Sequence, residues 1–258
     1  MPNLRQLERI GAIGAHLGIG AALTLWHARA DEARRAPVIR DWHAGVCRRL
    51  RVTVSHEGAP LASGALWVVN HVSWLDIPVI GSLSTQAVFL AKSDVRGWPL
   101  IGWLTERAGS LFIARGAGAV ERVQEDIARR LERGQSVVLF AEGTTTDGRD
   151  VRRFHPRLFQ AALQAGAPVQ PLALSYPVAG QAGMHPAVPY VGEDSFGRSL
   201  ARIAAADEVR AHLHAFDPLP PVSGRDALAR ASHALIRSAI LGAVDRASAP
   251  LSEPARAA

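Results

Sequence analysis

Apolar residues fall along this chain in two recurring patterns. Short runs that are almost wholly apolar, at Ala65–Val69, Ala87–Ala91, Gly109–Ala114 and Ser136–Phe140, read as buried strands. Between them, Val120, Val123, Ile127 and Leu131 repeat at helical spacing and mark one face of an amphipathic helix, which Gly134 ends. Arg51–Ser55 alternates and reads as a first strand before the Gly58-Ala59-Pro60 turn. Val169–Tyr176, interrupted by Pro171, and Glu208–Phe216 read as late strands. Helices are expected over Trp98–Ala108, Leu158–Gln164 and Arg225–Arg246. Strands alternating with helices predict an α/β fold, with a mixed central sheet and helices on both faces.

Ahead of this alternation, Ile10–Trp26 carries no charge. The run is slightly short for a spanning helix, which needs about 20 apolar residues. It is rich in Gly and Ala and holds His16. Three readings fit it. One is a single membrane pass. Another is a signal peptide, with Arg5 and Arg9 as its charged region and Ala28-Arg29-Ala30 as its cleavage site. The third is a helix lying in the interface, with Trp26 and the flanking arginines at headgroup level. A second helix over Pro37–Leu50 places Val38, Trp42, Val46 and Leu50 on one stripe. Together the two helices predict a membrane-associated hairpin; the plainer alternative is a helical pair packed on the domain. The expected organisation is membrane-attachment helices over 1–50, an α/β domain over 51–246 and a disordered tail over 247–258.

Composition narrows the function classes. The 258 residues are 48% hydrophobic, enough for one sizeable core. Cys47 is the only cysteine, so no intrachain disulfide forms, and structural zinc motifs are absent. Net charge is +6, and Lys92 is the only lysine. Residues 1–50 hold eight arginines against four acids, which is +4 of that excess. The basic balance favours anionic partners, and no nucleic-acid motif accompanies it.

Polar residues gather where the expected strands end: His71, Lys92, Arg115 and Glu142. In open α/β sheets that edge is where ligands bind. Within Asn70-His71-Val72-Ser73-Trp74-Leu75-Asp76, the histidine and aspartate are five positions apart. Five helical residues turn by about 500°, so the two cannot share a helix face. They meet if His71 sits in a strand-to-helix loop and Asp76 in the first helical turn. Ser73 fits as the helix N-cap with Asp76 as its capping-box partner, while Pro78 argues for a later start. As chemistry the pair is a general base and its orienter; as structure alone it is a cap and a satisfied histidine.

Asn70-His71 followed by Ser73 and Asp76 resembles the first of four blocks of the glycerolipid acyltransferase family, which includes the lysophosphatidic acid acyltransferases. The second block resembles Gly109–Gly116, the third Phe140-Ala141-Glu142-Gly143-Thr144 and the fourth Ala167–Leu174, in the family's order. The resemblance implies transfer of an acyl chain from a thioester to a lysolipid hydroxyl, with His71 as base and Asp76 holding its tautomer. It implies that Arg115 contacts the acceptor's phosphate. Glu142, Gly143 and Thr144 would bind the acceptor headgroup, and Lys92 would supply a second cation. The fourth block is linked in the family to the acyl donor. Ala141 stands where the family usually has proline, and Thr145 where arginine often follows. No metal or cofactor is expected beyond acyl-carrier protein or coenzyme A as carrier of the acyl co-substrate. Lysophosphatidic acid is the first acceptor on this reading and a lyso-ornithine lipid the second. Ser73 as the nucleophile of a hydrolase, and an inactive membrane-surface scaffold, are the readings from other classes. The expected location is the cytoplasmic face of the inner membrane, monotopic or single-pass.

Overall fold

A computed structural model describes residues 4–58, 63–85, 87–113, 118–178, 181–222 and 224–248. Helices α1 (Leu4–Trp26) and α2 (Glu32–Arg49) precede strands β1 (Val52–Gly58) and β2 (Leu66–Val69). Then follow α3 (Asp76–Gly81), β3 (Ala87–Lys92), α4 (Ile101–Arg107), β4 (Leu111–Ile113), α5 (Ala119–Glu132) and β5 (Ser136–Phe140). The second half contains α6 (Gln160–Ala165), β6 (Val169–Ser175), β7 (Pro177–Val178), β8 (Gln181–Met184), α7 (Phe196–Ala205), β9 (Val209–Ala215) and α8 (Arg225–Ser248).

Seven strands form one sheet in the order β1-β9-β6-β2-β5-β3-β4, while β7 and β8 pair by themselves. All neighbours in the large sheet run parallel except β6 and β9. β2 is central, and all four of its residues are buried. A strand covered on both faces has no polar side, which is why its sequence is apolar throughout. β9 lies nearer the edge and alternates: Val209, Ala211, Leu213 and Ala215 are buried while Arg210, His212 and His214 are not. One core, around Val69, Val79, Leu213 and Ile203, fills the face under α1, α2, α3 and α7. Another, around Val68, Ile127, Ala161 and Ile236, fills the face under α5, α6 and α8. The expected mixed sheet with helices on both faces is thus the one observed.

Pro171 does not interrupt β6. Its carbonyl accepts from Phe216 N–H at 3.1 Å, so its missing N–H faces the β9 side. Pairing with β9 begins only at Leu172, and the absent donor falls just before that ladder starts. Gly134 follows α5 at φ +77°, a conformation that an L side chain resists. The helix expected from Trp98 begins instead at Ile101, after Leu100 at φ 61°. Two elements were not anticipated from the sequence: the β7–β8 hairpin and α7. Residues 249–258 lie outside the described residues.

The N-terminal pair forms a hairpin built into the domain. Ile13, Val46, Cys47 and Leu50 belong to the same core as the sheet. The hairpin's seam is reciprocal: His16 Nε2 donates to the Trp42 carbonyl at 2.9 Å, and Trp42 Nε1 donates to the His16 carbonyl at 3.1 Å. Their rings stack with centroids 5.2 Å apart. Gly45 permits this approach, since a Cβ there would lie 2.5 Å from His16 Cε1. Gly20 of the uncharged run does the same for the Trp42 ring, where a Cβ would lie 2.5 Å from Nε1, so part of that run's small-residue content is helix–helix packing. Arg9 donates to the carbonyls of Ala204 and Ala206, so it docks α1 on the end of α7 and is not a headgroup arginine. Loss of residues 1–30 as a signal peptide would strip Ile13 and His16 from the core. Among the described residues no helix is long and apolar enough to cross a membrane, which removes the single-pass reading of α1.

Burial pushes the His43 imidazole from 6.5 down to about 4, with His16 adding to the effect. An imidazole held neutral in the fold protonates first in the unfolded chain. Its contribution to stability is complete above pH 6.5 and is lost as pH falls towards 4. Unfolding free energy should fall in that window by on the order of 3 kcal/mol from this group alone. Denaturant titrations at pH 7 and pH 4.5 check this; His43→Phe should show the smaller drop, and equal drops would count against it.

Candidate active site

The site grows from the end of β2. Beyond Val69, the Asn70 side chain supplies the next rung of the β2–β6 ladder. Its Nδ2 donates to the Leu174 carbonyl at 2.9 Å, and its Oδ1 accepts from Leu174 N–H at 2.8 Å. The chain then folds around one carboxylate. Asp76, fully buried, accepts on Oδ2 from Val72 N–H at 2.8 Å and from Ser73 N–H at 3.1 Å. The same oxygen faces His71 Nδ1 at 2.7 Å, and Oδ1 accepts from the Tyr176 hydroxyl at 2.6 Å. The five-residue spacing is what this turn needs.

With Nδ1 donating to Asp76, the Nε2 lone pair of His71 is left over. It has no hydrogen-bond partner among the described residues, and the side chain is 19% exposed. The ring stacks on Phe140, with centroids 4.0 Å apart and planes 17° apart. Its backbone is also fixed. His71 N–H donates to Glu142 Oε1 at 2.7 Å, and the His71 carbonyl accepts from Thr146 N–H at 2.8 Å.

Glu142 was expected in the headgroup site, and the structure gives it other work. It is buried, and its Oε2 accepts from Arg152 N–H at 2.7 Å. Both oxygens are engaged by main chain, so the side chain ties the His71 loop to the 142–152 loop. Burial raises its carboxyl above the usual range, against the pull of the two N–H donors. Gly143, Thr144 and Lys92 line the same cavity as His71. Arg115 lies outside the described residues; β4, the strand before it, ends at Ile113 in register with Lys92.

Ser73 departs from both of its expected roles. Its Oγ is buried and makes no hydrogen bond, so it neither caps α3 nor touches His71. The helix starts at Asp76, as Pro78 implied. A hydroxyl sealed away from the base gives a hydrolase no nucleophile. Burial likewise pushes the Cys47 thiol up to about 12, outside the site.

The cavity at His71 measures about 1090 Å³. Leu17, Leu23, Ile39 and Trp42 of the hairpin form one wall, and Phe89 and Leu104 line it from the domain. An apolar cavity with a base in its wall suits a long hydrocarbon whose reacting carbonyl lies at that base. A smaller, polar cavity of about 560 Å³ shares Thr144 and Thr145 with it. Asp147, Asp150 and Arg152 line this second space. Arg237 holds Asp150 by two bonds of 2.7 and 3.0 Å and keeps its carboxyl below the usual range. Asp147 accepts from Arg149 N–H at 3.1 Å and is otherwise exposed.

Sequence reasoning missed Tyr176, Thr146 and the clamp on Asn70. Each acts across 75 to 104 residues, and no local spacing announces such a contact.

Comparison with known proteins adds four findings. Residues 51–175 match the family model described as Acyltransferase. The chain is 37% identical over 250 residues to the lyso-ornithine lipid O-acyltransferase of Pseudomonas aeruginosa, covering 94% of this chain and 96% of that protein. It is also 37% identical over 115 residues to the 1-acyl-sn-glycerol-3-phosphate acyltransferase of Neisseria gonorrhoeae, covering 44% of this chain and 45% of that one. The fold is similar to the crystal structure of the 1-acyl-sn-glycerophosphate (LPA) acyltransferase PlsC from Thermotoga maritima, with a TM-score of 0.73, 19% identity and 97% of each chain covered.

Proposed function

The chain belongs to the glycerolipid acyltransferase family, and from that premise we propose that it is a lyso-ornithine lipid O-acyltransferase. The observation that carries the reading is the His71–Asp76 pair, whose histidine lines an apolar cavity. The choice of acceptor rests on similarity along nearly the whole chain to the Pseudomonas aeruginosa protein. The sequence blocks by themselves placed lysophosphatidic acid first; the longer match supports the lyso-ornithine lipid instead.

In this reading His71 Nε2 takes the proton of the acceptor hydroxyl as its oxygen attacks the thioester carbonyl. Asp76 stabilises the imidazolium that forms. The tetrahedral oxyanion collapses, the C–S bond breaks, and the thiolate leaves and takes the proton from His71. The donor is a long-chain acyl thioester on acyl-carrier protein or coenzyme A. No acyl-enzyme forms.

The polar cavity supports the acceptor. An ornithine headgroup carries both a carboxylate and a side-chain ammonium, whereas a phosphomonoester is anionic only. Asp147 and Arg152 give that cavity both signs, and Thr145 replaces the arginine that often follows the third block. Asp147→Asn should raise the KM for lyso-ornithine lipid about two- to fivefold, as expected for an exposed charge pair. It should leave the KM for lysophosphatidic acid unchanged or lower. Equal effects on both acceptors would remove Asp147 from the headgroup site. The reading as a whole is tested by competition: equal amounts of the two lysolipids with one acyl thioester, products resolved by mass spectrometry. Ornithine lipid should dominate; phosphatidic acid as the main product would return the acceptor to lysophosphatidic acid.

The site works at a membrane surface in this proposal, on its cytoplasmic face. Eight large hydrophobic side chains are exposed among the described residues, and five of them, Leu4, Leu7, Ile19, Leu25 and Trp26, are on α1. Trp26, at 86% exposure, suits headgroup depth. Leu25→Asp with Trp26→Asp should cut co-sedimentation with lipid vesicles by about tenfold, from the apolar area withdrawn. Unchanged sedimentation would place attachment elsewhere.

A further inference from the structure

We infer that Tyr176 is a positioning residue for acyl transfer, acting through Asp76 on His71. The inference rests on the proposed function for its kinetic arm only. Asp76 Oδ2 takes its three donors from within the loop, at His71, Val72 and Ser73. Oδ1 has Tyr176 as its one donor, and that donor arrives from the end of β6, 100 residues away. The phenol is therefore what ties the loop's carboxylate to the sheet. At 2.6 Å it is a short, charge-assisted bond of the strong class.

Two further contacts make β6 the rigid support. Leu174 holds Asn70 at the near end of the loop, and the Tyr176 carbonyl accepts from His185 N–H at 2.8 Å. The fourth sequence block thus leads into a structural clamp on the first block, a role that its apolar composition does not advertise. Tyr176 is fully buried and does not line the cavity, so it touches neither acyl chain nor headgroup. Burial and the neighbouring Asp76 push the phenol well above its ordinary range, which keeps it a donor. Without that hydroxyl, Oδ1 is an unpaired oxygen in a fully buried site. The carboxylate is then held through Oδ2 alone, its tilt about its own bond is less tightly fixed, and the aim of the His71 Nε2 lone pair loosens with it.

Tyr176→Phe should lower kcat about tenfold or more with acceptor and donor KM unchanged, since the lost contact is made by the machinery and not by substrate. In the Asp76→Asn background the same substitution should have little further effect, because the partner has already been altered. A second readout needs no turnover. The His71 Nδ1–H proton should appear at low field in the proton spectrum, vanish in His71→Gln and move in Tyr176→Phe. Should Tyr176→Phe not fold, 3-fluorotyrosine incorporation labels two tyrosines and strengthens the donor; the Nδ1–H resonance should then move upfield, because the carboxylate gives up basicity to the phenol. Wild-type kcat in Tyr176→Phe, an equal loss in both backgrounds, or an Nδ1–H resonance indifferent to both changes would overturn the inference. A wild-type protein that acylates no lysolipid would sink the proposed function, and the resonance would still decide the role of Tyr176.

Discussion

His71→Ala should lower kcat for acyl transfer by about 10²–10⁴-fold, the range set by loss of one general base. The fold should survive the change. Asp76 retains the Val72 and Ser73 N–H donors on Oδ2 and the Tyr176 hydroxyl on Oδ1, so no buried charge is orphaned. The removed ring is 19% exposed, and its main contact is the face of Phe140. The N–H and carbonyl of residue 71 still reach Glu142 and Thr146, because those bonds belong to the backbone. Thermal unfolding should therefore stay close to wild type while turnover collapses. Initial rates of thiol release, with circular dichroism melts on the same preparations, separate the two quantities. A variant within fivefold of wild-type kcat would mean that some other group takes the proton.

Glu142→Gln should lower kcat about tenfold to hundredfold and destabilise the protein by about 1–3 kcal/mol. The carboxylate presents an acceptor to each of two main-chain donors, His71 N–H and Arg152 N–H. A carboxamide has one oxygen. Whichever donor faces the new NH₂ is both unpaired and opposed, in a site where Glu142 is 3% exposed. The strain falls on the residue whose ring carries the chemistry, so kcat should suffer more than KM. A headgroup-binding role makes the opposite prediction: a raised acceptor KM with stability unchanged. Steady-state kinetics with urea titrations distinguish them, and the KM pattern would return Glu142 to the substrate site.

What the sequence could show depended on how local the physics was. β2 and β5 were legible because a doubly covered strand must be apolar throughout. α5 was legible because its buried face, Val123, Ile127 and Leu131, repeats within one element. α7 was within reach but overlooked: Leu200, Ile203 and Ala204 are buried on one face, and Ser195 caps it by accepting from Arg198 N–H. The loop geometry of His71 and Asp76 followed from their spacing. Glu142 was found as a residue but its main-chain partners were not, since what meets a carboxylate after a buried strand depends on two other loops. Tyr176 read only as the end of a strand, because its partner is 100 positions away. The hairpin's Gly-rich run was ambiguous for a physical reason. Small residues serve close helix packing, as at Gly20 beneath the Trp42 ring, and an interfacial helix equally well.

The most direct test of the account is the reaction itself: purified protein in detergent, one long-chain acyl thioester and lyso-ornithine lipid, with thiol release and lipid product followed together. One molecule of ornithine lipid is expected for each thiol released, with both rates lowered by about 10²–10⁴-fold in His71→Ala. Thiol release without lipid product, or no consumption of thioester at all, would contradict it.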